Sequence, residues 1–174
     1  MTQSKATQTS RIDIRWLIRR DMPKILRIEQ AAFANAWSEE DFLCCLRARN
    51  CIGMVAERDH EIVGFIVYDL HRTRLAILNL AVDPALHRCG IGTAIIARMK
   101  DKLSQQRRTH IRAEVRETNI GAQLFLRSMG FRAVRVFREM YEDTDEDCYL
   151  MEYHVGEPAG PVALHNQVSE YLEQ

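Results

Sequence analysis

The sequence predicts an α/β (α+β) domain, a mixed and mostly antiparallel sheet flanked by helices. Three observations carry that prediction. Segments with period-two alternation and segments with helical period follow one another in the order β-α-α-β-β-β-α-β-α-β-β. One strand-like run, Leu75–Val82, is apolar on both faces, as befits a central strand covered on two sides. Only the passage from that run through a glycine loop and a helix to the next strand is a βαβ crossover, so hairpins supply most other connections.

The elements follow in order. Residues 1–10, polar throughout, are expected to be a disordered tail, with the folded domain spanning 11–155. Ile12–Ile18 alternates and reads as a strand. Met22-Pro23 suits a helix start, with Ile25, Ile28, Ala32 and Phe33 facing inward. Ser38-Glu-Glu-Asp41 forms a capping box for a second helix that ends near Arg49-Asn50. Strands are expected at Ile52–Glu57, Ile62–Leu70 and Leu75–Val82, the first two joined by the polar turn Arg58–Glu61. A helix with the stripe Ile91, Ile95, Met99 and Leu103 runs to about Gln105. His110–Arg116 alternates strictly, with Arg112, Glu114 and Arg116 on its polar face. Helix Asn119–Met129 carries the stripe Ala122, Phe125, Leu126 and Met129, and Gly130 closes it. Strands near Phe131–Tyr141 and Cys148–His154 flank the acidic turn 142–147. Residues 156–174 read as a linker and a C-terminal tail with a weak helical stripe.

Composition narrows the function classes. The 174 residues are 47% apolar and 28% charged, as in an ordinary globular domain. Basic and acidic residues balance at 24 each, which argues against nucleic acid or an anionic membrane as partner. No apolar run approaches the roughly 20 residues that span a bilayer, and the N-terminus lacks a signal core. Five cysteines without a Cys-x-x-Cys pair, and scattered histidines, point to reduced thiols, no metal site and a cytoplasmic protein.

The most informative stretch is Leu80–Thr93, where a strand runs through Asp83-Pro84 into His87-Arg-Cys-Gly-Ile-Gly92 and a helix. Two glycines one residue apart let backbone N–H groups converge, and the helix start adds unpaired donors and a positive dipole end. Such a corner suits an anion such as a phosphate or pyrophosphate; the alternative is a plain turn. A side chain at Gly92 is expected to occupy the space of the phosphates. A single Gly-x-Gly is not the three-glycine dinucleotide fingerprint, and no acidic residue sits at the expected distance, so a nicotinamide cofactor is disfavoured.

These residues resemble the Gcn5-related N-acetyltransferase (GNAT) superfamily. His87-Arg-Cys-Gly-Ile-Gly92 is similar to its Gln/Arg-x-x-Gly-x-Gly/Ala loop, and Asn119-Ile-Gly-Ala122 with Met129-Gly-Phe131 to its Asn-x-x-Ala…Gly-Phe helix. Ile28-Glu-Gln30, Ala36-Trp-Ser38 with Phe42, Leu80-Ala-Val-Asp-Pro84, Glu114-Val-Arg116 and Arg138…Tyr141 resemble the bacterial ribosomal-protein-alanine N-acetyltransferase branch. The likeness spans residues 12–155.

The resemblance implies a single GNAT-like domain and acetyl-coenzyme A as cosubstrate. It implies that backbone N–H groups of Arg88, Cys89, Gly90, Ile91, Gly92 and Thr93 cradle the pyrophosphate, with Arg88 adding charge. Leu80, Ala81 and Val82 would pair with the pantetheine arm, and Asn119 would hold that arm from the other side. Each has a plain alternative: Arg88 solvated, Asn119 a helix cap. Glu114 is the expected general base, the alternative being a salt bridge to Arg112 or Arg116. The implied acceptor is a protein N-terminus, the alanine of a ribosomal protein, and the acidic turn 142–147 could steer a basic peptide. A lysine or small-molecule acceptor, or a non-catalytic acyl-coenzyme A-binding module, are the rival readings.

Three departures from the family pattern matter. Ala36 stands where the branch has proline, and His87 where the loop opens with glutamine or arginine. Leu126 stands where the family has the tyrosine that protonates the departing thiolate. Tyr141 is the nearest replacement by strand register, with a structural role as its alternative.

Overall fold

A computed structural model describes residues 11–141 and 144–156. The expectations for 1–10, for 157–174 and for the start of the acidic turn lie outside the described residues. A seven-stranded sheet carries four helices, with strand order β1-β2-β3-β4-β5-β7-β6. The strands are β1 (Ile12–Trp16), β2 (Cys51–Arg58), β3 (Glu61–Leu70), β4 (Arg74–Val82), β5 (His110–Arg116), β6 (Arg132–Tyr141) and β7 (Glu146–His154). The helices are α1 (Met22–Ala32), α2 (Glu39–Arg47), α3 (Ile91–Lys100) and α4 (Ile120–Ser128). β4 lies in the middle of the order, as its two apolar faces require, and only the β4–β5 pair is parallel.

Local chemistry sets the boundaries. Ser38 accepts from Asp41 N–H and Asp41 returns a bond to Ser38 N–H, so the capping box forms as expected. Asp59 and His60 both take positive φ in the two-residue β2–β3 turn, a primed-type geometry that matches strand twist. Asn119 caps α4 by accepting from Ala122 N–H, and Gly130 follows at φ +84°. Three elements are shorter than the pattern suggests. α2 stops at Arg47, where Ala48 turns to an extended conformation as its C-cap. β1 ends at Trp16 because a one-turn 3-10 helix, Arg19–Asp21, follows, its N-cap Ile18 N–H held by the Asp21 carboxylate at 2.9 Å. α3 ends at Lys100, and Leu103 packs on the core from the turn beyond it.

Two apolar clusters sandwich the sheet. α3 and α4 cover one face, where Ile91, Ile95, Ile96, Met99 and Leu126 meet Ile66, Tyr68, Leu75 and Ile111. α1 and α2 cover the other, where Ile25, Ile28 and Phe42 meet Val55, Phe65, Val67 and Ala81. Among the described residues no helix is long and apolar enough to cross a membrane, and no three His, Cys, Asp or Glu side chains are placed to hold a metal ion.

Candidate functional site

The sheet opens at its centre. β4 and β5 pair only from Arg74↔His110 to Ile77↔Ala113; beyond that pair no register joins them. Leu78 is an extra residue in β4, since Val67 pairs with Asn79 while Tyr68 pairs with Ile77. From this bulge onward Leu80, Ala81 and Val82 stay paired to Ile66, Phe65 and Gly64, which leaves their other edge without a strand partner. Glu114 and Arg116 lie on the opposite side of the gap, held by β7 through Leu150 and Cys148. A slot with one bare strand edge therefore opens where β4 leads into the glycine loop.

The loop between β4 and α3 turns sharply. Arg88 stands at φ +63° and Gly90 at φ +79°, so the chain turns through two left-handed residues before α3. Ala94 N–H makes the first intrahelical bond, to Gly90 O, leaving the N–H groups of Ile91, Gly92 and Thr93 in the unpaired first turn. Arg88, Cys89, Gly90 and Thr93 are exposed, and Ile91 is buried as an anchor. The His87 ring lies 3.1 Å from Val82 O, tying the loop back to the strand. Gly92 corrects an expectation. A Cβ there would lie 3.0 Å from Cζ of Phe125, so its missing side chain faces the α3–α4 contact rather than the ligand side. Gly90 has open space around its Cβ position, and its requirement is conformational.

Glu114 projects from the exposed face of β5. The competing salt bridges go elsewhere: Arg112 binds Glu152 at 3.0 Å, and Arg116 binds Thr144 at 2.9 Å and Glu146 at 3.3 Å. Among the described residues Glu114 enters no ion pair. Tyr141 sits in the same neighbourhood, its ring 3.8 Å from the Arg116 guanidinium and its hydroxyl donating to Cys148 Sγ at 3.6 Å. Burial, and then the bond to Cys148, push its phenol above the ordinary range, with the Glu114 charge adding to the effect. Leu126 is 4% exposed inside the core, so this α4 position offers packing and no proton. Asn119 uses its side-chain oxygen as the α4 cap at 3.1 Å.

One feature escaped the sequence reading. Glu29, on the inner stripe of α1, is 1% exposed. Its carboxylate accepts from Trp37 N–H at 2.8 Å and from the Asn79 amide at 3.1 Å. It thereby straps the α1–α2 connection to β4 one residue past the bulge. Burial raises its pKa, and the two hydrogen bonds only partly oppose that. The available signal was a carboxylate amid Ile25, Ile28 and Ala32, and a lone asparagine in an apolar strand.

Comparison with known proteins gives the family and the fold. The sequence model described as the acetyltransferase (GNAT) family matches residues 13–131. The [ribosomal protein bS18]-alanine N-acetyltransferase of Escherichia coli K12 is 29% identical over 133 residues, covering 75% of this chain and 89% of that protein. The N-alpha-acetyltransferase of Sulfurisphaera tokodaii is 29% identical over 144 residues, covering 75% and 86%. The crystal structure of the ribosomal-protein-S18-alanine N-acetyltransferase from Escherichia coli superposes with a TM-score of 0.75 at 25% identity, over 89% of this chain and 99% of that one. Ard1 from Thermoplasma volcanium also gives 0.75, at 28% identity, over 84% and 99%.

Proposed function

The chain belongs to the acetyltransferase (GNAT) family, and on that premise we propose that it acetylates the N-terminal amine of a protein, the alanine of a ribosomal protein, in the cytoplasm. The observation that carries the reading is the parting of β4 and β5 beside the glycine loop. A bare strand edge and a cradle of unpaired N–H groups suit a ligand that joins an amide-bearing arm to a pyrophosphate. Acetyl-coenzyme A is such a ligand, and it supplies an already activated acyl thioester.

The residues divide the work as follows. The N–H groups from Arg88 to Thr93 hold the pyrophosphate, with the Arg88 side chain adding positive charge. The β4 edge at Leu80, Ala81 and Val82 pairs with the arm and presents donors toward the thioester oxygen, where charge develops. Asn119 borders the arm while capping α4. Glu114 takes the proton of the incoming ammonium, directly or through water. Tyr141 is the proton donor on the same face, since Leu126 has none to give. An α-amine suits a modest base: its pKa of about 7.7–8.0 leaves roughly a tenth neutral at pH 7, whereas a lysine near 10.4 is almost wholly charged.

The experiment is an intact-mass screen of ribosomal proteins after incubation with the enzyme and acetyl-coenzyme A. One protein gaining an acetyl group, mapped to its N-terminal residue, is the expected result. Acetylation confined to lysine side chains or small amines refutes the N-terminal assignment. Coenzyme A binding without turnover on any amine supports the rival of a non-catalytic module, which buried Leu126 motivates.

A further inference from the structure

A balance of 24 basic against 24 acidic residues argues against nucleic acid only where the charges mix, and at one end of the sheet they do not. The β3–β4 turn, with Arg72 and Arg74, lies against the α3–β5 connection, with Lys102, Arg107 and Arg108. Hydrogen bonds zip the two together. Thr109 N–H donates to Thr73 O at 3.0 Å, Arg108 Nε–H to His71 O at 2.9 Å, and His71 N–H to Arg74 O at 3.0 Å. Ser104 N–H donates to Arg108 O at 2.8 Å, which closes the connection just past Lys102. Trp16, the last residue of β1, extends the row: its ring centre lies 5.2 Å from the Lys102 ammonium, and the residue is 57% exposed.

These cations lack counter-ions. Elsewhere arginines meet carboxylates, Arg15 with Asp21, Arg112 with Glu152 and Arg138 with Asp147. Among the described residues, none of Arg72, Arg74, Lys102, Arg107 and Arg108 joins an ion pair. Arg74 Nε is buried and finds no acceptor. Burial, and then the Arg98 charge, lower the Lys102 pKa, and Asp101 only partly opposes them. The negative end of the α3 dipole suits Arg98 and Lys102, but it gives no reason for Arg72 and Arg74, which come from another element.

We propose that this end of the sheet docks single-stranded RNA, its phosphates along Arg72, Arg74, Lys102, Arg107 and Arg108 and a base stacked on Trp16. Guanidinium forks match phosphate oxygens, and a chain of phosphates supplies the counter-charge that the protein withholds. An exposed aromatic beside a row of cations is what an unpaired base stacks on, whereas an acidic protein surface has no use for the ring. Arg74 and Val82 stand at opposite ends of β4. At about 3.3 Å per residue they are roughly 25 Å apart. RNA and acetyl-coenzyme A therefore occupy opposite ends of the sheet and bind together. This docking does not depend on which amine is acetylated.

The test is fluorescence anisotropy of a fluorescein-labelled oligouridylate of about 12 nucleotides, within the footprint of a single-strand site, titrated with the full chain. Saturable binding should weaken by about 100-fold between roughly 50 and 200 mM salt, as neutralising about five phosphates requires. Saturating acetyl-coenzyme A should leave the RNA bound. Arg72 and Arg107 are exposed, so Arg72→Ala/Arg107→Ala should fold. It should cut that salt dependence to about 20-fold. Trp16→Ala should weaken binding by ~5-fold or more at every salt concentration and leave the salt dependence unchanged. Absence of binding at the lower salt overturns the proposal. So does displacement of the RNA by acetyl-coenzyme A, which puts it on the glycine loop, or by an equal charge of polyglutamate, which makes the surface one for acidic proteins. These outcomes are read on the unsubstituted protein. Parental affinity in either variant, with a parental circular dichroism spectrum, places the RNA elsewhere and also overturns it.

Discussion

A valine at position 92 separates two jobs that a loop glycine can do. If Gly92 keeps space clear for a pyrophosphate, the side chain blocks binding and leaves the fold alone. The structure points the other way, because an ideal Cβ at Gly92 lies 3.0 Å from Cζ, 3.3 Å from Cε2 and 3.6 Å from Cε1 of Phe125. An alanine needs the ring to give by a few tenths of an ångström, and Phe125 is only partly buried. That cost sets itself against the roughly 0.5–1 kcal/mol by which glycine weakens a helix. Gly92→Ala should therefore change stability by less than about 1 kcal/mol. Valine brings two further methyl groups into the α3–α4 contact, and overpacking of that kind costs about 1–3 kcal/mol. For a domain of this size the melting temperature should fall by roughly 2–12 °C. Differential scanning fluorimetry with and without acetyl-coenzyme A reads both quantities at once. The ligand at about 100 times its dissociation constant adds some 2.7 kcal/mol, and that increment should survive in Gly92→Val. Adding Phe125→Leu should restore part of the lost stability. A Gly92→Val protein that melts like the parent yet no longer responds to acetyl-coenzyme A would refute the packing argument.

The remaining predictions concern the gap and its strap. Glu114→Gln keeps shape and removes basicity, so turnover should drop by ~10²–10⁴-fold with acetyl-coenzyme A affinity nearly unchanged; a loss within twofold across the pH profile means the base lies elsewhere. Tyr141→Phe should lower turnover by ~10-fold or more without altering coenzyme A binding, measured by steady-state kinetics beside a binding isotherm, and an unchanged rate removes it as the acid. Glu29→Ala leaves Trp37 N–H and the Asn79 amide without their acceptor, a loss of about 1–3 kcal/mol in a denaturation curve. Glu29 also has a raised pKa in the folded state, so between the ordinary 4.5 and that higher value the folded chain binds more protons than the unfolded one. Stability should accordingly decline as pH rises through that window, and Glu29→Gln should remove this part of the slope; an identical slope in both proteins contradicts the burial argument.

Most of the frame was legible because it depends on periodicity and capping. β5 alternates so strictly that its residues and its polar face read directly from His110–Arg116. Ser38, Asn119 and Gly130 mark their helix ends through local hydrogen bonds or a left-handed φ, and each does so here. The candidate site was legible to the same depth. Gly90 and the run into α3 announce a tight turn into a helix, and Leu126 announces itself as core by lying on the α4 stripe. The end of β1 was less visible. Leu17 and Ile18 prolong the apolar pattern, yet the strand stops where the Asp21 carboxylate, held by Arg15 at 2.7 Å, pulls the chain into a turn.

What stayed hidden has a common physical cause: it depends on the far side of a contact. Gly92 looks like every other glycine of a phosphate loop until Phe125, 33 positions along the chain, is seen to fill the space beside it. Glu29 looks like a surface residue of an amphipathic helix until Asn79 arrives from β4, 50 positions away, with a donor for it. A carboxylate buried without a cation is costly, and here two hydrogen bonds only partly offset the cost. Such an arrangement persists when the strap matters more than the stability it forgoes. The strap fixes the α1–α2 connection, with Trp37 at its end, to β4 one residue past Leu78, where β4 and β5 have just parted. The α1–α2 connection is thus tied to the edge of the gap through a single buried side chain, which only the tertiary structure could reveal.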